Sequence, residues 1–112
     1  MELKRFVLLS HDFPRDGEFL QRLGLAKISE QIGWAAFGQE GDREGPVELI
    51  SVPPEEGFTA APGFKVPDLV SLYSRLADMG MRRSEITSRP WGSYCFAKDT
   101  QGRYWHFYQS LR

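Results

Sequence analysis

The sequence predicts an α+β fold made of two tandem β-α-β-β-β modules, and three observations carry that reading. The first is an internal repeat: Asp12, Leu20, Leu23 and Gly24 recur as Asp68, Leu76, Met79 and Gly80, each 56 residues later in a chain of 112. The second is spacing. In both copies the aspartate precedes the glycine by twelve residues and the leucine precedes it by four. These are the positions of a helix start, an inward-facing side chain and a helix stop. The third is that short runs rich in strand formers flank each helical stretch in the same order. The expected architecture is a curved, half-open mixed sheet with the helices on its outer face. The inner faces then close around a shared concavity, the usual setting for a small-molecule site.

Each element has a local reason. Leu3 to Ser10 holds Phe6, Val7, Leu8 and Leu9, a short apolar run that reads as a buried strand. Asp12 and Pro14 open the first helix, Phe19, Leu20 and Leu23 give it an apolar stripe, and Gly24 can close it in a left-handed conformation. Lys27 to Gly33 and Trp34 to Gln39 read as two strands with a turn near Gly33, and Val47 to Val52 as a third beyond the polar loop Gly41 to Pro46. The first module therefore covers residues 1–53. Residues 54–62 form the linker, within a stretch from Pro53 to Gly63 that holds three prolines and two glycines. The second module covers 63–112. Gly63 to Val66 is its opening strand, Asp68 its helix cap, and Leu69, Leu72, Tyr73 and Leu76 recur at helical spacing up to Gly80. Met81 to Thr87, Gly92 to Lys98 and Tyr104 to Gln109 are the last strands, the final two joined by the tight turn Asp99-Thr100-Gln101-Gly102.

Composition narrows the function classes. Hydrophobic residues make up 41% of the chain, charged residues 26% and aromatics 13%, a globular balance that can build one small core. The formal net charge is -1, from 14 basic and 15 acidic residues, so no excess of charge draws the chain to nucleic acid or anionic lipid. The single cysteine, Cys95, excludes an internal disulfide and a thiolate cage. The apolar run after Met1 is too short for a signal peptide and no stretch could span a bilayer, so the expected location is the cytoplasm.

Several segments resemble the vicinal oxygen chelate superfamily, which includes glyoxalase I, extradiol dioxygenases and bleomycin-resistance proteins. Phe6-Val7-Leu8-Leu9-Ser10-His11-Asp12 resembles its opening strand and aspartate, and Phe64-Lys65-Val66-Pro67-Asp68, with Leu76 and Gly80, resembles the opening of its second module. Trp91-Gly92, Phe96 and Asp99-Thr100-Gln101-Gly102-Arg103-Tyr104-Trp105 resemble its closing signature. The turn departs from that signature at Thr100, Gln101 and Arg103. The resemblance implies paired β-α-β-β-β modules, a homodimer as the common assembly, and a divalent metal held by His, Glu or Gln side chains.

The ligand positions that the resemblance implies are filled unusually. The first falls on Arg5, its counterpart in the second module on Ala61, and the closing-strand position on His106; Glu48 matches the remaining one. That leaves at most two ligands, Glu48 and His106, where a catalytic site needs roughly three with one position open. Arginine does not lose its proton and cannot ligate. His11 lies at the wrong end of its strand and reads as an exposed turn residue. The expectation is therefore no metal, no cofactor and no catalytic residue.

Strand alternation supplies a different lining for the concavity. Arg5, Val7 and Leu9 share one face of their strand, and Tyr104, His106 and Tyr108 one face of the last strand, while Phe6, Leu8, Trp105 and Phe107 turn to the core. The resemblance places Trp91 and Tyr94 near the mouth. The expected ligand-binding set is Arg5, Glu48, Trp91, Tyr94, Tyr104, His106 and Tyr108. Aromatic walls with one arginine and one histidine suit a small, flat, partly anionic organic molecule, oriented by stacking and a bidentate contact. The leading expectation is thus a non-enzymatic binding protein of the bleomycin-resistance type. The alternatives are a metal-dependent lyase, isomerase or dioxygenase using Glu48 and His106, and a ligand-free interaction domain.

Overall fold

A computed structural model of the chain describes residues 1–52 and 60–111. Of the expected linker, residues 54–59 lie outside the described residues. The chain divides into two compact units, Arg5–Ala60 and Ala61–Arg112, the latter joined by Met1–Lys4. Among the described residues no helix is long and apolar enough to cross a membrane.

The first module runs β1 (Glu2–Ser10), α1 (Phe13–Arg22), β2 (Ala26–Gln31), β3 (Trp34–Gly38) and β4 (Val47–Ser51). Its strands lie in the order β2-β3-β4-β1, with β1 and β4 parallel and the other pairs antiparallel. The second runs β5 (Ala60–Lys65), α2 (Leu69–Asp78), β6 (Arg82–Arg83), β7 (Thr87–Arg89), β8 (Gly92–Lys98) and β9 (Tyr104–Ser110). Here the order is β5-β9-β8-β6, β7 also pairs with β8, and β5 and β9 are parallel.

The repeat is borne out down to its hydrogen bonds. Both helices are ten residues long, and they start 56 residues apart. Asp12 accepts the Arg15 N–H and Asp68 the Ser71 N–H, each capping the first turn. At the other end Gly24 donates to the Gln21 carbonyl and Leu25 to that of Leu20; Gly80 and Met81 donate likewise to Ala77 and Leu76. This is the Schellman closure, and it needs the positive φ that Gly24 (110°) and Gly80 (77°) adopt.

Each helix packs on one face of its own sheet. Leu20 meets Ala35, Phe37 and Leu49, with Leu8, Phe13 and Val47 at the margin. Leu69, Leu72 and Leu76 meet Cys95, Ala97 and Phe107, with Phe64 and Trp105 at the margin.

Four expectations need correction. Phe6 is 49% exposed rather than core, because α1 packs over Leu8 and not over the start of β1. Phe19 and Leu23 are also exposed; α1 turns Gly17 and Leu20 to the sheet, with Leu20 packed among Ala35, Phe37 and Leu49, so Phe19 and Leu23 fall outside the contact. The strand expected at Gly63 begins three residues earlier, at Ala60, within the expected linker, with Ala61 and Gly63 buried. The single strand expected over Met81 to Thr87 is two short ones. Ser84 breaks it: its N–H donates to the Phe96 carbonyl, but the Phe96 N–H is accepted by the Ser84 hydroxyl instead of a backbone carbonyl.

Candidate functional site

Each module carries one polar cluster on the sheet face turned away from its helix, and the strand registers place the two clusters at equivalent points. In the first module Val7 of β1 faces Glu48 of β4, and Ala36 of β3 faces Glu48 from the other side. Alternation puts Arg5, Val7, Trp34 and Glu48 on this face. The Arg5 Nη1 lies 2.6 Å from Glu48 Oε1, and the Trp34 indole N–H donates to Glu48 Oε2 over 2.6 Å. The Glu48 side chain is 1% exposed and that of Arg5 20%. A carboxylate so buried is stable only when its oxygens are satisfied, and here both are.

In the second module Gly63 of β5 faces His106 of β9. The register of β8 against β9 pairs Tyr94 with Tyr108, Phe96 with His106 and Lys98 with Tyr104, so all six residues share one face. His106 is 1% exposed. Its ring centroid is 4.9 Å from that of Phe96, 5.3 Å from that of Tyr94 and 5.9 Å from that of Tyr108. Trp91 extends this aromatic layer: its ring stacks on Tyr94 at 6.0 Å with 11° between planes, and meets Tyr108 edge-on at 6.2 Å. Trp91 and Tyr94 are partly exposed, and the exposed guanidinium of Arg89 lies 5.9 Å from the Tyr94 ring centroid.

Gly92 fixes this arrangement. A side chain there would put its Cβ 2.1 Å from the Gln109 carbonyl oxygen, so only glycine lets β8 start this close to β9. The turn that follows is anchored by Asp99. One oxygen accepts the backbone N–H groups of Gln101 and Arg103, and the other accepts the Arg103 side chain and the Trp105 indole. Burial works against ionisation of Asp99, but these donors outweigh it and hold the carboxyl well below the ordinary carboxylate range. Trp105 is thereby tied to the turn on the helix side of the sheet, with Phe107 beside it in the core. Cys95 is also on that side, and burial pushes its thiol up to about 11.

The expected ligand-binding residues therefore fall into two groups. Arg5 and Glu48 meet in the first module; Trp91, Tyr94, His106 and Tyr108 meet in the second, and Tyr104 lies on the same face with the Lys98 ammonium 5.5 Å from its ring centroid. His11 is an exposed turn residue. Sequence reasoning left out the roles of Trp34, Phe96 and Arg89. Alternation from Tyr94 would have found Phe96; nothing local announces the reach of Trp34 to Glu48.

No family model matches the sequence, and no curated protein matches it either. Solved structures do match. Methylmalonyl-CoA epimerase from Mycobacterium tuberculosis superposes with a TM-score of 0.70 at 16% identity, over 99% of this chain and 89% of that one. A glyoxalase/bleomycin resistance protein/dioxygenase superfamily member from Vibrio splendidus 12B01 gives 0.64 at 18% identity, over 95% and 97%. The fold is the glyoxalase-like one. The Mn(II)-bound glyoxalase from Novosphingobium aromaticivorans gives 0.65 at 16% identity, over 96% of this chain and 38% of that one. Identities this low establish the glyoxalase-like fold alone. A fold shared by many activities does not by itself assign one.

Proposed function

We propose that this chain works without a bound metal and holds a small, flat, partly anionic organic molecule against the aromatic face of its second module. The observation that supports it most directly is the engagement of Glu48, whose two oxygens face the Arg5 guanidinium and the Trp34 indole. These residues do not fit a divalent cation: the carboxylate that would bind it already faces a fixed positive charge. Among the described residues no three His, Cys, Asp or Glu side chains gather as a metal-holding group. His106, the other candidate ligand, is packed among aromatic rings.

Binding chemistry is on offer instead at Trp91, Tyr94 and Arg89. A stacked, partly exposed pair of rings favours a planar molecule, and a guanidinium beside it favours a carboxylate or phenolate on that molecule. A homodimer in the cytoplasm belongs to the same proposal.

The test is a thermal-shift and tryptophan-fluorescence screen of planar aromatic acids against their neutral amides. Acids should bind more tightly than amides, Trp91→Ala should abolish binding, and Arg89→Ala should erase the preference for the acid. Absence of binding across the series, or equal binding to the Trp91 variant, sinks the ligand reading. Stoichiometric manganese, zinc or iron in the purified protein sinks the metal-free reading and restores the lyase, isomerase or dioxygenase alternative.

A further inference from the structure

We propose that Arg5 is the built-in counter-cation of Glu48, and that its guanidinium fills a receptor, made by the buried carboxylate and the Trp34 indole, that would otherwise take up a planar organic cation. This rests on the metal-free part of the reading above and is independent of the aromatic face.

The geometry carries the inference. Arg5, Glu48 and Trp34 come from three strands, β1, β4 and β3, which lie side by side in fixed register. Each partner takes a different carboxylate oxygen at 2.6 Å. The indole supplies a hydrogen bond but no charge; the guanidinium supplies both. Glu48 is almost fully buried, whereas Arg5 is 20% exposed, so the cation enters from the more accessible side. The guanidinium meets one oxygen through a single charge-assisted N–H···O contact while the indole satisfies the other, so a small N–H cation of the same shape fits the place the guanidinium occupies.

The second module provides the internal contrast. Val7 and Gly63 face the closing strands of the two modules at Glu48 and His106. Two residues before them stand Arg5 and the buried Ala61. Where the closing strand carries a carboxylate, the opening strand carries a cation; where it carries an imidazole, the opening strand carries a methyl group. Cation and anion thus occur together or not at all, as a counter-ion relationship requires.

The experiment compares the parent protein, Arg5→Ala, Arg5→Lys and the double variant Arg5→Ala/Glu48→Gln by thermal unfolding. Each is measured alone, with methylguanidinium chloride, and with sodium chloride at equal ionic strength. Removing one partner of a buried pair should lower the melting temperature of Arg5→Ala by on the order of 10 °C. Methylguanidinium should raise it again in Arg5→Ala but not in the parent, and sodium chloride should not. Arg5→Lys should fall between parent and Arg5→Ala, and the double variant should recover much of the loss. If Arg5→Ala does not fold alone, its refolding yield with and without methylguanidinium is the readout, and recovery of folding supports the proposal. An Arg5→Ala protein as stable as the parent, rescue by sodium chloride as effective as by methylguanidinium, or a double variant no better than the single one overturns it. Metal analysis of the parent runs alongside. A stoichiometric metal there overturns the metal-free reading, while loss of the rescue alone overturns only the counter-cation role.

Discussion

Glu48 and His106 stand on the same rung of two copies of one parallel strand pair. Glu48 faces Val7, His106 faces Gly63, and those two partners are separated by the 56 residues of the repeat. The two rungs have nevertheless acquired opposite chemistry. One is an ion pair reinforced by an indole, the other an imidazole inside an aromatic layer.

The Trp34 indole is the donor to Glu48 Oε2. Trp34→Phe keeps most of the ring but leaves that oxygen of a buried carboxylate without its donor, a loss of about 1–3 kcal/mol. Chemical denaturation monitored by circular dichroism measures it. A change within experimental error would mean that water or another donor takes over.

Gly92→Ala should be among the most damaging single-atom additions in the chain. The added carbon meets the Gln109 carbonyl oxygen at 2.1 Å, and both groups belong to backbone that cannot rotate away. Overpacking of this kind costs about 3 kcal/mol. Gly41→Ala is the control. Its φ is 92° but nothing lies within 4 Å of the new carbon, so only the conformational cost of about 1 kcal/mol applies. Equal melting temperatures for the two variants would contradict the close approach of β8 and β9.

Asp99 gives the acid limb of stability a definite sign. Its carboxyl is held below the ordinary range in the folded chain, so protons bind the unfolded chain more readily. The stabilisation is complete above the unfolded value near 4 and is lost as pH falls towards the depressed folded value. Asp68, lowered by the Ser71 N–H at the α2 cap, contributes with the same sign. The parent should therefore lose melting temperature on acidification more steeply than Asp99→Asn. Parallel curves for the two proteins would refute the assignment.

Cys95 should be chemically silent while the chain is folded. It is fully buried and its thiol is pushed up to about 11, so little thiolate exists at pH 8. Reaction with a disulfide reagent should be slow and should accelerate with denaturant in step with unfolding. Rapid labelling of the native protein would show that β8 opens locally.

The repeat was the most legible part of the chain because its signals are local. Asp12 and Asp68, Gly24 and Gly80 act on backbone groups within a turn of themselves, and the structure uses each as the spacing implied. Alternation along β9 likewise separated Tyr104, His106 and Tyr108 from Trp105 and Phe107. The failures are positions where tertiary placement decides. Phe6 is as apolar as Leu8, but only the depth of α1 on the sheet makes one exposed and the other packed. Ser84 ends a strand by substituting its hydroxyl for a carbonyl, which no periodicity reveals. The engagement of Trp34 with Glu48 depends on strand order, since fourteen residues of sequence separate them.

The interrupted strand near Ser84 has a consequence for colloidal behaviour. It leaves the strands that flank β8 there as two short pieces, β6 of two residues and β7 of three, and both residues of β6 are exposed arginines. At the far side of the first module, β2 is put out of step between Lys27 and Ser29. A sheet margin that is short, charged or kinked offers no straight row of amides for a foreign chain to add to. Concentrated folded protein is thereby guarded against lateral, amyloid-like growth.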